Sequence, residues 1–184
     1  MQKIMIIRHA EKHQHGTQIR GISEDGHPAR HELTLQGWQR AAALVRFFAP
    51  NGCLPANPLI QTPRTIFASD ATKHSPSLRA QHTVGPLAAA LGLSINHEFE
   101  EDEEAALAAA VASAPSPVLI AWHHGRISKL VKEIAGKHIG CPHQWPDERF
   151  DMVWILDRHD PPGAAWTFSQ VAQCLLPTDC PDVI

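Results

Sequence analysis

The 184-residue chain lacks the signals of several large protein classes. No two of its four cysteines (Cys53, Cys141, Cys174 and Cys180) are spaced as Cys-x-x-Cys, which argues against a zinc knuckle. So few cysteines in a chain of this length do not suggest a disulfide scaffold. Free buried thiols are expected, and the spacing allows a Cys174–Cys180 bridge without implying one. No stretch is long and apolar enough to span a bilayer. The run Ile4-Met5-Ile6-Ile7 is too short for a signal sequence and no small-residue cleavage site follows it, so a cytoplasmic location is expected. Excess positive charge is also missing. The formal net charge of -3 gives no bulk attraction to nucleic acid or an anionic membrane, so neither is expected as a partner. Any anion site must be built locally. No internal repeat, domain boundary or low-complexity segment beyond an alanine-rich helix is visible.

What is present reads as one globular domain over residues 1–184: 43% of residues are hydrophobic and 19% charged, too apolar for disorder. Lys3 to Ile7 reads as a buried central strand. A polar, Gly- and His-rich loop follows from Glu11 to about Glu32, long enough to be functional or mobile. Thr34 caps a helix running to Phe48, with Trp38, Ala41, Ala42, Leu44, Val45 and Phe48 spaced for one buried face. Thr65 to Ser69 predicts a strand, and Ser77 to Leu91 a helix stopped by Gly92. Ser94 to Phe99 predicts a third strand. The acidic run Glu100 to Glu104 opens the alanine-rich helix, where it suits the helix dipole. Pro117 to Trp122 predicts another strand, and a helix follows from about Ile127 to Ala135. Met152–Leu156 and Trp166–Leu175 predict two closing antiparallel strands across Pro161-Pro162-Gly163. Repeated strand–helix units imply a three-layer α/β/α sandwich with a mostly parallel central sheet.

Thirteen histidines are the compositional outlier. Several fall in loops (His13, His15, His27 and His31). They are either exposed titrating groups, a rim around an anion pocket, or ligands for a transition metal, for which His13-Gln14-His15 is the candidate. In open α/β sheets ligands bind at the carboxyl ends of strands. Two strands here end in histidine, at Arg8-His9 and at His123-His124-Gly125, and parallel central strands would bring these ends together.

Arg8-His9-Ala10-Glu11 resembles the Arg-His-Gly-Glu signature of the histidine phosphatase superfamily, which includes the cofactor-dependent phosphoglycerate mutases. Leu33-Thr34-Leu35-Gln36-Gly37-Trp38-Gln39-Arg40-Ala41 is similar to that superfamily's Leu-Thr-x-x-Gly-x-x-x-Ala segment. Ser75-Pro76-Ser77-Leu78-Arg79-Ala80-Gln81-His82-Thr83 is similar to its Ser-Pro-x-x-Arg-Ala-x-x-Thr segment. Val118 to Gly125 resembles the strand before its second catalytic histidine. The four segments occur in the family's order across residues 8–125.

The resemblance implies a phosphatase acting on small phosphate monoesters without metal or cofactor. His9 would be the nucleophile that forms a phosphohistidine. Its tautomer must be fixed by a neighbour. Arg8 and Arg79 would grip the phosphoryl oxygens, since the guanidinium fork matches phosphate and keeps its charge. A second histidine would add a donor. Matching Trp122-His123-His124 to the family's Trp-Glu-His form selects His124, which the following Gly125-Arg126-Ile127 favours; matching to the His-Asn form selects His123. Phosphate binding would thus fall to Arg8, His9, Arg79 and His124.

Two departures stand out. Ala10 replaces the signature's glycine, a small intrusion expected to be tolerated. The family's Glu-Gly context for the proton donor is missing. Among Glu100, Glu101, Asp102, Glu103 and Glu104, Glu104 aligns best, with a solvated helix start as the plain alternative and His123 or water as substitutes. Competing functions are phosphoglycerate mutase-type transfer, disfavoured by the lack of an obvious second basic cluster, and a non-catalytic phosphate-binding module. The loop from Glu11 to Glu32 and the segment Gly140–Phe150, with Trp145, are placed to line the specificity side. The sequence leaves oligomeric state open.

Overall fold

Strand β1 (Gln2–Arg8) is apolar on both faces because it lies at the centre of the sheet. In a computed structural model describing residues 1–13, 16, 18–52, 57–72, 76–159 and 164–184, β1 pairs parallel with β4 (Val118–Trp122) and antiparallel with β5 (Met152–Arg158). Beyond β4 lie β2 (Thr65–Ala68) and β3 (Ile95–Asn96), both parallel. β6 (Trp166–Ala172) closes the other edge antiparallel to β5, giving the order β3-β2-β4-β1-β5-β6. Cys53, His15, Ser75 and the Pro161-Pro162-Gly163 connection lie outside the described residues.

Alternate residues of each central strand feed opposite cores. On one face Ile4, Ile6, Ile120 and Trp154 meet Leu107 and Val111 of α3 (Glu104–Ser113) and Ile127, Leu130 and Val131 of α4 (His124–Ala135). On the other, Met5, Ile7, Leu119 and Ile155 meet Leu44 and Phe48 of α1 (Leu35–Phe48) and Val84 and Leu87 of α2 (Arg79–Leu91). The result is the three-layer α/β/α arrangement with a mostly parallel sheet.

Most elements lie where the periodicity puts them. Thr34 caps α1 by accepting from Gly37 N, and Gly92 ends α2 in the left-handed region. β3 is shorter than the expected Ser94–Phe99. Asn96 Oδ1 accepts from Glu98 N at 3.1 Å, a local turn that takes the chain out of the ladder. Helix α4 starts at His124, three residues before the expected Ile127, directly off the end of β4. Cys141, Cys174 and Cys180 are free thiols. Among the described residues no helix is long and apolar enough to cross a membrane.

Candidate active site

The parallel register pairs Arg8 with Trp122, and His9 N donates to Trp122 O at 3.1 Å. The two strand ends therefore open at one level. His9, 2% exposed, approaches the carbonyl of Ala10 with Nδ1 at 2.8 Å. A carbonyl only accepts, so Nδ1 carries the hydrogen and Nε2 keeps its lone pair. Burial, then the neighbouring Arg8 charge, hold the His9 pKa well below the usual imidazole value. The ring is thus neutral near pH 7, as a nucleophile must be.

The remaining pieces of the first signature fix this loop. Ala10 N donates to Thr83 Oγ1 at 2.8 Å, and Thr83 Oγ1 donates to Arg79 O at 2.6 Å, so one hydroxyl joins the nucleophile loop to the start of α2. The Ala10 methyl packs in a small cluster with Leu33 and Ala41, which accommodates the departure from glycine. Gly37 is required by close approach: a Cβ there would lie 2.5 Å from Glu11 O. Glu11 accepts three bonds from buried Arg40, at 2.7–3.1 Å, and Arg40 also reaches Gln173 and Asp179.

Arg8 is 1% exposed and lies over Phe150, its Cζ 3.8 Å from the ring centroid. Its Nη1 donates to the carbonyls of Pro146, Asp147 and Arg149. Nε and Nη2 are buried without a protein partner. Two nitrogens of a buried cation are thus left without a hydrogen bond. Burial pushes the Arg8 pKa down to about 10, which still leaves it charged at neutral pH. Arg79 at the head of α2 donates to Glu32 O and Arg30 O, and burial lowers its pKa too.

The ring across from His9 is that of His123, with centroids 5.7 Å apart and planes at 74°. Among the described residues no hydrogen bond or ring contact joins His9 to His124, the residue favoured from the sequence, and His124 Nδ1 is buried without a hydrogen-bond partner. Residue 123 continues from the strand end beside His9, whereas His124 opens α4 and turns Nε2 to Asp147 Oδ1 at 2.8 Å. His123 Nε2 lies 3.1 Å from Ser69 Oγ, and Nδ1 lies 3.5 Å from Glu101 Oε2. Burial, then the charges of Arg79 and Lys12, push the His123 pKa down to about 4.

Among the described residues no contact joins Glu104 to His9. Glu104 is fully buried at the start of α3, with Oε1 3.0 Å from Arg126 Nε and Oε2 2.7 Å from Lys129 Nζ, both on α4. Its carboxylate fastens two helices, and Glu101 is the member of the acidic run that reaches a site histidine. Trp145 is core, stacked on Trp154 with Nε1 donating to Arg149 O at 2.7 Å, and its segment acts by presenting carbonyls and Phe150 to Arg8. Among the described residues no three of His, Cys, Asp and Glu converge where a metal ion could sit.

No family model and no curated protein matches the chain. Solved structures do match it over nearly their whole length. A mycobacterial glucosyl-3-phosphoglycerate phosphatase with inorganic phosphate is 18% identical, with a TM-score of 0.51 over 92% of this chain and 96% of that one. A phosphoserine phosphatase mutant from Entamoeba histolytica with phosphoserine is 12% identical, with a TM-score of 0.53 over 92% and 95%. A protein from Agrobacterium tumefaciens assigned as the phosphohistidine phosphatase SixA is 16% identical, with a TM-score of 0.51 over 93% and 97%. With the strand-end histidines, the paired guanidinium groups and this sheet order, the chain has the histidine phosphatase fold.

Proposed function

We propose that the chain is a metal-independent phosphatase that hydrolyses small phosphate monoesters through a phosphohistidine at His9. The observation that carries this reading is the state of His9. It is a buried neutral imidazole with Nδ1 held by Ala10 O, beside an arginine with two unused donors. A lone structural histidine has no need of either feature.

The geometry supports the following steps. A phosphoryl group held by Arg8 Nε and Nη2 and by Arg79 presents phosphorus to His9 Nε2. The Nε2–P bond forms and the ester P–O bond breaks, its electron pair leaving on the ester oxygen. That oxygen takes a proton from the acidic side of the site, where Glu101 stands against His123. Water then attacks phosphorus, the P–Nε2 bond breaks, and the water proton returns to Glu101. The buried guanidinium charges and the His123 ring stabilise the oxygens of both transition states, the work a metal would otherwise do.

Turnover of 4-nitrophenyl phosphate, with and without chelator, tests this reading. We expect turnover that survives chelator and falls at least about a thousandfold in His9→Ala, with an acid-labile, alkali-stable phosphoryl label on the wild-type chain. Equal rates for the two proteins would sink it.

A further inference from the structure

The later part of the loop, residues 18–32, builds a second wall beside the phosphoryl site. It is held by backbone bonds: Ile22 N to Leu33 O at 2.8 Å, Ala29 N to Gly21 O at 2.8 Å, and Ser23 N to His27 O at 2.8 Å. Gly21 lets two strands of the loop touch, since a Cβ there would lie 2.3 Å from Ala29 O. Trp38 Nε1 fastens it to α1 through Ile22 O at 2.8 Å.

This wall encloses a cavity of about 740 Å³ lined in part by His13, Arg20 and Arg30. A smaller hollow, bordered by Lys12, His13, Arg30, His31 and Arg79, shares His13 and Arg30 with it and has Arg79 in its wall. Among the described residues no carboxylate lines either space. Among the described residues no carboxylate pairs with Arg20 or Arg30, and both are exposed. Three of the loop's four acids have other partners: Glu11 bonds Arg40, Glu32 lies 2.6 Å from His82 Nδ1, and Glu24 lies 4.0 Å from His82 Nε2. Lys12 feels the crowding, its pKa lowered by burial and by Arg8 and Arg79. In a chain with a formal net charge of -3, this run of fixed cations is a local concentration that invites an anion.

Arg8 and Arg79 already suffice for one phosphoryl dianion. Lys12, Arg20 and Arg30 are surplus to it. We infer that these three residues form a distal oxyanion subsite, so that the preferred substrate carries a second phosphate or carboxylate on its leaving group. The inference rests on the phosphoryl site proposed above. Arg30 joins the two ends: its carbonyl holds Arg79 at 3.1 Å, and the residue lines the outer cavity as well.

Non-hydrolysable ligands test it by binding alone. Calorimetry would compare butylphosphonate with butane-1,4-bisphosphonate on the wild-type chain, on Arg20→Gln/Arg30→Gln and on Arg20→Lys/Arg30→Lys. We expect the bisphosphonate to bind about tenfold more tightly than the monophosphonate to wild type, the advantage to vanish in the glutamine pair, and the lysine pair to keep most of it. 5-Phosphonopentanoate distinguishes the source, a gain equal to the bisphosphonate's pointing to a carboxylate and a smaller one to a phosphate. Monophosphonate binding with no bisphosphonate advantage in wild type, or an advantage that survives in the glutamine pair, overturns the inference alone. Binding of neither ligand overturns it together with the phosphoryl site beneath it.

Discussion

The basic and acidic sides of the site use burial in opposite ways. Arg8 is almost fully buried, pinned by three carbonyls, and keeps two nitrogens without a hydrogen-bond partner. On the acidic side the fully buried carboxylate, Glu104, is occupied by Arg126 and Lys129, while the half-exposed Glu101 stands 3.5 Å from His123. Unspent hydrogen-bonding capacity does not separate the two, since Glu104 Oε1 also lacks a hydrogen-bond partner. The counter-charge does: Glu104 has two cations within 3.0 Å, whereas among the described residues Arg8 pairs with no carboxylate. Burial alone separates nothing here.

The contrast can be broken most sharply at Arg8. Replacement by Lys keeps a charge but loses the fork, so kcat/KM for an aryl phosphate is expected to fall about 10²–10³-fold, as for one oriented donor lost from a transition state. A loss under fivefold would mean that the unused nitrogens do not meet the phosphoryl group. Next comes the acidic side. Glu101→Gln is expected to lower turnover of an alkyl phosphate by about 10²-fold while barely touching an aryl phosphate, whose leaving group needs little protonation. Equal effects on both esters would assign Glu101 to binding instead.

Acid stability sharpens the same comparison. His123, held down to about 4, is neutral in the folded state where an unfolded histidine with a pKa near 6.5 takes up a proton. The unfolded state therefore binds more protons below pH 6.5, and stability falls as pH drops through that window, by about 2 kcal/mol at pH 5 from this residue. Urea titrations of wild type and His123→Asn at pH 7 and pH 5 would read the difference, and parallel losses in the two proteins would refute it. The smallest effect is expected at Glu104. Its cationic partners are 35% and 51% exposed and can be resolvated, so Glu104→Gln should cost about 1–2 kcal/mol of stability and leave turnover per folded molecule unchanged.

The sequence was most legible where strict local geometry demands one residue type. The layers and nearly all elements follow from apolar runs of period two and 3.6, and the motif residues Gly37 and Thr83 turn out to be contacts of the nucleophile loop itself. It was least legible where identical residue types stand side by side. His123 and His124 differ only in falling on either side of the strand–helix junction, a boundary that periodicity locates to within a few residues. In the acidic run, the start of α3 at Glu104 decides which carboxylate turns inward, and no pattern among five consecutive acids encodes it. Phe150 and the carbonyls of 146–149 come from a distant segment with no signature. The outer cations were hidden in another way: Lys12, Arg20 and Arg30 form no cluster along the chain, and only the folded loop sets Arg20 and Arg30 around one cavity and Lys12 and Arg30 around the next.

The central position of β1 also has a bearing on how the protein is made. Ile4 pairs with Val118 on one side and with Leu156 on the other. During synthesis the strand that carries Arg8 and His9 leaves the ribosome long before either neighbour exists. Its apolar faces and unpaired amide edges must wait, through translation of both helices on one face and of α3, before β4 and then β5 enclose them. A nascent chain released before β5 would hold the nucleophile on an open sheet edge, where joining another chain's strand competes with folding.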